Sequence, residues 1–330
     1  MNILLLRLSA LGDVIHTLPA VSDLRASIPE ARIAWVVEAA YAGLVQAVAP
    51  VDRVVPVRMK RWLKELLARE TREAVAALRR SLRDAALDGV SIDGQGLLKS
   101  GALARLSGAR LRFGFDREAI REKAALAFIN RPVAIPRGLH VVEINRALVR
   151  GVIAALGRTP LEGTEPDLLR FAAAEPSPEL RALMAGRPVA LLPGAGRADK
   201  QWNFDRFQGL ARHIANEYRA PVTVLWGPGE DELARAIAAG SPAVAAPRTD
   251  LGALTWALSQ ARVVVAGDTG PLHLAAALGT PVVGLYGPTD PARNGPWGQL
   301  DRVVSRFPAP GVMESIPVGE VAERVGDLLE

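Results

Sequence analysis

Short apolar runs alternate with longer segments of helical period along this chain. Residues 2–8 (NILLLRL) read as a strand buried on both faces. Residues 9–13 read as a tight turn, and 14–27 as a helix carrying Ile15, Leu18, Val21 and Leu24 inward. Strands at 32–37 and 53–57 flank a helix at 39–49. Residues 60–86 have a helical stripe of Leu63, Leu66, Leu67, Val75, Leu78 and Leu82, with Trp62 beside it. A fourth strand ends at 91–93, residues 94–100 turn on glycine into a helix, and a helix opened by His140 closes this half. Weak periodicity with many Pro, Gly and Glu residues predicts a linker and crossover. We place the first domain at 1–160, the linker at 161–187 and the second domain at 188–330. The second half repeats the alternation, with strands at 188–192, 222–226, 263–266 and 282–286 and helices at 251–260 and 318–329. Such spacing predicts an α/β chain with doubly wound parallel sheets.

The densest signal is residues 263–291, VVVAGDTGPLHLAAALGTPVVGLYGPTDP. It reads as strand, turn, small apolar helix, strand and loop. Asp268 or Thr269 can cap the helix, and Pro271 fits its first turn, where a missing N–H costs nothing. The free N–H groups and positive dipole end near Thr269 and Gly270 suit a phosphate. His273 lies on the turn that would face such an anion. The same residues equally make an ordinary β-α-β unit with a satisfied histidine.

Composition narrows the chemistry. The chain has 330 residues, enough for two cores, and no cysteine, which excludes disulfides and thiolate zinc sites. Its four histidines are scattered, with no pair at metal-binding spacing. No apolar run approaches a membrane span. The N-terminal apolar run is interrupted by Arg7 and Asp13 and lacks a basic lead, so it reads as the first strand of a cytosolic protein and not as a signal peptide. A net charge of +5 does not call for a nucleic-acid partner. The charge is uneven: Arg58 to Arg83 holds nine basic residues against three acids, an excess larger than that of the whole chain.

In doubly wound sheets, ligands bind beyond the carboxyl ends of the strands. Asp13 lies at the first such end, either as a helix cap or as a carboxylate aimed at ligand. Arg58, Lys60, Arg61 and Lys64 cluster beside Trp62 after the third strand. They form either a solvated face or a grip on a multiply anionic ligand. Gln95 sits on the glycine turn after the fourth strand, and Arg117, Arg121 and Lys123 make a further basic cluster. In PGAGRADKQW, Gly194 and Gly196, on either side of Ala195, allow close backbone approach to a phosphate and Lys200 supplies charge. The stretch is neither a P-loop nor a GxGxxG fingerprint. Glu230 and Asp231 follow the 222–226 strand, placed to accept from ribose hydroxyls or simply to begin a helix.

DTGPLHLAAALGTPVVGLYGPTDP resembles the donor-binding segment of the bacterial heptosyltransferases that build the lipopolysaccharide inner core, in Asp268, Thr269, Gly270, His273 and Tyr286-Gly-Pro-Thr289. The opening RLSALGDVIHTLP is similar to theirs, and DGQGLLKS resembles a family motif on the side that adds the first heptose. Lys200 and Trp202 fit a family Lys and Trp, although hydroxyl residues frequent before that lysine fall here on Ala195 and Gly196. The resemblance implies a GT-B fold, two Rossmann-like domains facing a cleft, with acceptor on the N-terminal half and nucleotide sugar on the C-terminal half. It implies inverting, metal-independent transfer of L-glycero-D-manno-heptose from ADP-heptose onto Kdo of Kdo-modified lipid A, with no cofactor. Asp13 would be the catalytic base. Ala195, Gly196, Lys200, Glu230 or Asp231, Thr249, Asp268, Thr269, Gly270 and His273 would serve the donor. Arg58, Lys60, Arg61, Lys64, Gln95, Arg121 and His140 would serve the acceptor. The absence of an Asp-x-Asp motif fits a diphosphate held without metal. A glycolipid acceptor implies a cytoplasmic enzyme, peripheral on the inner membrane. A related transferase with another acceptor, a nucleotide-sugar epimerase or a non-catalytic binding protein are the alternatives.

Overall fold

The computed structural model describes residues 1–65, 68–172 and 176–330, and for Lys60 and Leu63 the backbone alone. The chain divides into two compact units, Met1–Pro166 and Asp167–Glu330. Each is built on one all-parallel six-stranded sheet.

In the first unit the strands are β1 (Asn2–Leu6), β2 (Arg32–Glu38), β3 (Arg53–Val57), β4 (Val90–Asp93), β5 (Leu111–Phe115) and β6 (Arg131–Val133), in the order β3-β2-β1-β4-β5-β6. β1 is central and lacks alternation because both its faces are covered. One face packs Leu4, Leu6, Val36, Val55 and Val57 against Leu78, Leu82 and Leu103. Helix Val141–Ala155 packs on β5 and β6 and against helix Leu18–Ser27.

Two helices differ from the sequence expectation, each for a physical reason. The helix expected over 14–27 is two, Leu11–Ile15 and Leu18–Ser27. Pro19 lacks the N–H that a continuous helix would bond to the Ile15 carbonyl. The first of them starts at Leu11, so Asp13 lies inside a short helix and not on the turn before it. The helix expected over 60–86 is also two, Met59–Lys64 and Arg69–Ala86. At 3.6 residues per turn, Trp62 and Leu78 would stand about 160° apart around one helix. Both pack on the same core, so the chain must break between them. Leu66 and Leu67 lie outside the described residues, and Val75 is 40% exposed instead of turned inward.

The second unit holds β7 (Val189–Leu192), β8 (Val222–Val224), β9 (Val244–Ala245), β10 (Val263–Gly267), β11 (Val282–Tyr286) and β12 (Val303–Ser305), in the order β12-β11-β10-β7-β8-β9. Counted from its own first strand, this is the strand order of the first unit. The core joins Leu191, Val224, Val265 and Leu285 to Trp202, Phe207, Ile214 and Val325. Within the segment expected as linker, Leu161 N donates to Ser27 Oγ (2.8 Å) and Gly163 N to the buried Asp23 Oδ1 (2.9 Å), holding those residues on the first unit. Ala173, Ala174 and Glu175 lie outside the described residues, and helix Pro178–Met184 follows them.

Candidate active site

A doubly wound sheet opens a ligand crevice where its strand order reverses. In the first unit that point lies between β1 and β4, whose last residues, Leu6 and Asp93, are paired. Asp13 sits just beyond it. Arg7, the first residue after β1, is 4% exposed and donates from Nη2 to Asp13 Oδ1 (2.9 Å) and from Nε to the Asp13 carbonyl (3.4 Å). Its other Nη donates to the Gly94 carbonyl. Asp13 Oδ2 accepts from Ala10 N (3.2 Å) and lies 3.8 Å from Arg121 Nη1. The carboxylate thus caps its own helix and also stands, about a quarter exposed, between two guanidinium groups.

Arg121 reaches Asp13 because two loops fit closely. Gly96 has φ +66°, and a Cβ there would crowd Ile120, Phe115 and the Arg121 backbone at 3.2–3.4 Å. Glu122 N donates to the Gly96 carbonyl (3.0 Å), and Leu98 N to Glu122 Oε2 (2.6 Å). Nearby, Asp93 is wholly buried and accepts from Gln95 N and Gly96 N, each at 3.0 Å on Oδ1. Burial pushes its carboxyl above the ordinary range against these two N–H groups and the Arg7 charge.

The remaining acceptor candidates divide. Arg58, Arg61 and Lys64 are exposed around the short helix Met59–Lys64, with Arg61 paired to Glu65 at 2.9 Å. The Lys60 side chain lies outside the described residues. Trp62 packs partly on the core and so is not offered whole to a ligand. Two candidates are turned inward. Gln95 is 2% exposed, with its amide engaged by the backbone of residues 8 and 9. His140 is buried as the cap of helix Val141–Ala155, its Nδ1 accepting from Val142 N (3.2 Å) and its ring edge-on to His16 at 5.6 Å. Neither presents a side chain at the surface for an acceptor. A buried position suits each because a polar group on a turn at a strand end is the nearest partner for loop backbone.

In the second unit the order reverses between β7 and β10, paired there through Leu192 and Ala266. Lys200, after β7, and Asp268, after β10, meet at Nζ–Oδ2 2.6 Å. His273 Nε2 lies 3.2 Å from Asp268 Oδ1, and Asn294 Nδ2 donates to Oδ2 (3.0 Å). Burial alone would raise the Asp268 carboxyl. The hydrogen bonds and charges of His273 and Lys200 outweigh it and hold the group far below the ordinary carboxylate range. Tyr286, buried and donating to the Asn294 carbonyl (3.1 Å), has its phenol pushed well up by burial and by Asp268. Thr269 is the cap residue of helix Gly270–Ala277 without a side-chain cap bond, and the neighbouring Asp268 carboxylate is engaged by Lys200, His273 and Asn294. Gly270 opens that helix.

The two acids after β8 also separate. A Cβ on Gly194 would fall on the Glu230 carboxylate, which accepts from Gly227 N (2.8 Å). Glu230 thus lies over the end of β7, beside Ala195 and the open turn at Gly196. Asp231 instead pairs with Arg235 along an exposed helix face (3.5 Å). Thr249 is half-buried after β9, immediately before Asp250, which caps helix Leu251–Gln260. Arg7 and Asn294 went unrecognised in the sequence. Arg7 had left a signal: an arginine inside a buried strand run needs a carboxylate or carbonyls to face. Asn294 had none, because DPARN is ordinary helix-start chemistry.

Two Rossmann-like sheets of one strand order, each carrying polar residues at its switch point, define a glycosyltransferase architecture of GT-B type. Residues 75–313 match glycosyltransferase family 9 (heptosyltransferase). The chain is 33% identical over 310 residues to lipopolysaccharide heptosyltransferase 1 of Escherichia coli (strain K12), covering 93% of this chain and 94% of that protein. The structure of E. coli heptosyltransferase WaaC with ADP superposes with a TM-score of 0.83 at 31% identity, covering 99% of this chain and 100% of that one. The same enzyme with ADP-2-deoxy-2-fluoro heptose gives 0.80 at 31% identity over 99% of each chain. The chain belongs to the heptosyltransferases of family 9 and is a glycosyltransferase of lipopolysaccharide core synthesis. Among the described residues no helix is long and apolar enough to cross a membrane.

Proposed function

We propose that this chain transfers L-glycero-D-manno-heptose from ADP-heptose to Kdo of Kdo-modified lipid A, inverting the anomeric centre in one displacement. The observation that carries the donor half is the meeting of Lys200 and Asp268 at the start of helix Gly270–Ala277. A cation and free N–H groups at one strand end suit a leaving diphosphate. His273 holds the carboxylate that holds the lysine. Glu230, over the end of β7, takes the ribose hydroxyls, with Ala195 and Gly196 giving backbone contact and Thr249 near the base.

In the first unit Asp13 removes the proton from the acceptor hydroxyl as its oxygen attacks the anomeric carbon. The bond from that carbon to the diphosphate oxygen breaks, ADP departs with the electron pair, and the proton stays on the carboxylate. Arg121 sits close enough to fix an acceptor carboxylate or phosphate beside the base. Arg58, Lys60, Arg61 and Lys64 meet the acceptor's other anions. The acceptor is an amphiphile, so the enzyme works at the cytoplasmic face of the inner membrane without spanning it.

ADP release from ADP-heptose, measured with and without Kdo-modified lipid A, tests the reading. Release that depends on the acceptor supports it. No release with that acceptor, but release with another sugar acceptor, would reassign the substrate. For Asp13→Asn we expect turnover lower by roughly a hundredfold or more with ADP affinity kept. Near-normal turnover would leave Asp13 a helix cap only.

A further inference from the structure

Gln95 bridges the two loops at the switch point of the first unit. Its Oε1 accepts from Leu8 N (2.8 Å), and its Nε2 donates to the Ser9 carbonyl (3.1 Å). The two ends of one amide therefore read a donor and an acceptor on successive residues of the β1 loop. Only a group with a donor and an acceptor side by side can do this. The glutamine is itself fixed: its backbone N–H donates to Asp93 Oδ1 (3.0 Å), at the buried end of β4.

The segment that Gln95 grips leads straight to Asp13. Ala10 N, one residue beyond Ser9, donates to Asp13 Oδ2, and Arg7, one residue before Leu8, holds Oδ1. Arg7 also donates to the carbonyl of Gly94, next to Gln95. Residues 7–9 are thus tied to residues 94–95, and the Asp13 carboxylate hangs from Arg7 at one end and from Ala10, the next residue, at the other. Gln95 is 2% exposed, and its amide is already occupied.

We propose that Gln95 is a positioning residue for the catalytic base: it fixes the Leu8–Ser9 backbone so that Arg7 and Ala10 N–H hold the Asp13 carboxylate in its reactive orientation. This rests on the reading of Asp13 as base. Displacing a catalytic group by about an ångström can cost on the order of a hundredfold in rate without weakening binding.

Gln95→Met keeps the length of the side chain and removes both hydrogen bonds. With ADP-heptose and Kdo-modified lipid A, we expect kcat to fall roughly 10- to 100-fold with acceptor KM and ADP affinity near wild type. A raised acceptor KM with unchanged kcat would overturn the proposal and return Gln95 to acceptor binding. Unchanged kcat and KM would overturn it outright. In the background of Asp13→Asn, Gln95→Met should add little further loss, because both act through one group. A full multiplicative loss would mean that Gln95 acts elsewhere.

Gln95→Glu separates positioning from general loss of structure. Its protonated carboxyl can still accept from Leu8 N and donate to the Ser9 carbonyl, while the ionised form would face that carbonyl with a second acceptor. The kcat of Gln95→Glu, relative to wild type, should therefore be highest at the acid end of the range and fall as pH rises. A ratio as low at the acid end of the range as at the alkaline end would overturn the proposal. Near-normal turnover by Asp13→Asn would instead dismiss the base reading, whatever Gln95→Met does.

Discussion

Gly194→Ala isolates one contact in the proposed donor site. The three atoms nearest the Cβ it adds all belong to the Glu230 carboxylate, so the end of a flexible side chain is what must give way first. Gly194 also lies outside the left-handed region, so alanine is free of backbone strain there. Glu230 loses its bond from Gly227 N, and because it is half-buried, water replaces much of that bond. We expect a stability loss of about 1 kcal/mol. The larger effect falls on ligand. A hydrogen bond to a charged acceptor contributes about 1.5–3 kcal/mol, so a carboxylate swung off the ribose should weaken ADP binding roughly 10- to 150-fold. Titration calorimetry with ADP reads this directly, with Glu230→Ala as the reference. In the Glu230→Ala background, Gly194→Ala should cost nothing further, since the group it displaces is gone. Wild-type affinity in Gly194→Ala together with a loss in Glu230→Ala would refute the clash. Wild-type affinity in both would refute the ribose assignment.

Three other outcomes follow from the geometry. The folded-state carboxyl of Asp93 is raised, so its contribution is present below the unfolded value of 3.8 and lost as pH rises through the folded one; urea unfolding should show Asp93→Asn gaining on wild type as pH rises above about 4. Asp268 is depressed, so its contribution is full above 3.8 and lost as pH falls below it. The stability of Asp268→Asn relative to wild type should therefore be lower at neutral pH and recover in acid, and a constant difference would deny the ion pair a role in stability. Replacing Arg61 and Lys64 together by Ala should raise acceptor KM, as should added salt, because exposed charges are screened within about 8 Å; ADP-heptose KM and thermal stability should hold, and a loss of donor affinity instead would reduce the segment to a solvated helix face.

The sheets were legible because the strands of parallel α/β units are buried on both faces and appear as short unbroken apolar runs, as in NILLL and VVVAG. The meeting of Lys200 and His273 on Asp268 was legible because these residues sit in or beside turns whose chemistry is local: Asp268, Thr269 and Gly270 are adjacent, and Lys200 follows a glycine turn. What could not be read was the direction in which each side chain points. Glu230 and Asp231 are neighbours, yet only Glu230 turns over Gly194, a fact set by a glycine 36 residues earlier. Gln95 and His140 stand at strand or helix ends, as ligand-binding residues do, but the backbone beside them claims their polar atoms first. The break before Arg69 was hidden because it arises from two apolar anchors sharing one core and not from a Pro or Gly.

The Lys200–Asp268 pair bears on what the site refuses. A bare lysine beside a helix start would capture any small anion, and a cell is full of inorganic phosphate. Here the ammonium is already neutralised at 2.6 Å by a carboxylate that repels anions in its own right. A lone phosphate would have to displace that partner while bringing few contacts of its own. On the donor reading proposed above, a nucleotide diphosphate would bring ribose and base contacts as well, and could meet the cost of rearranging the pair from those distant contacts. On that reading the pair would act as a threshold on ligand size. Asp268→Asn should lower it, making inorganic phosphate a measurably better competitor of ADP than it is in the wild-type protein.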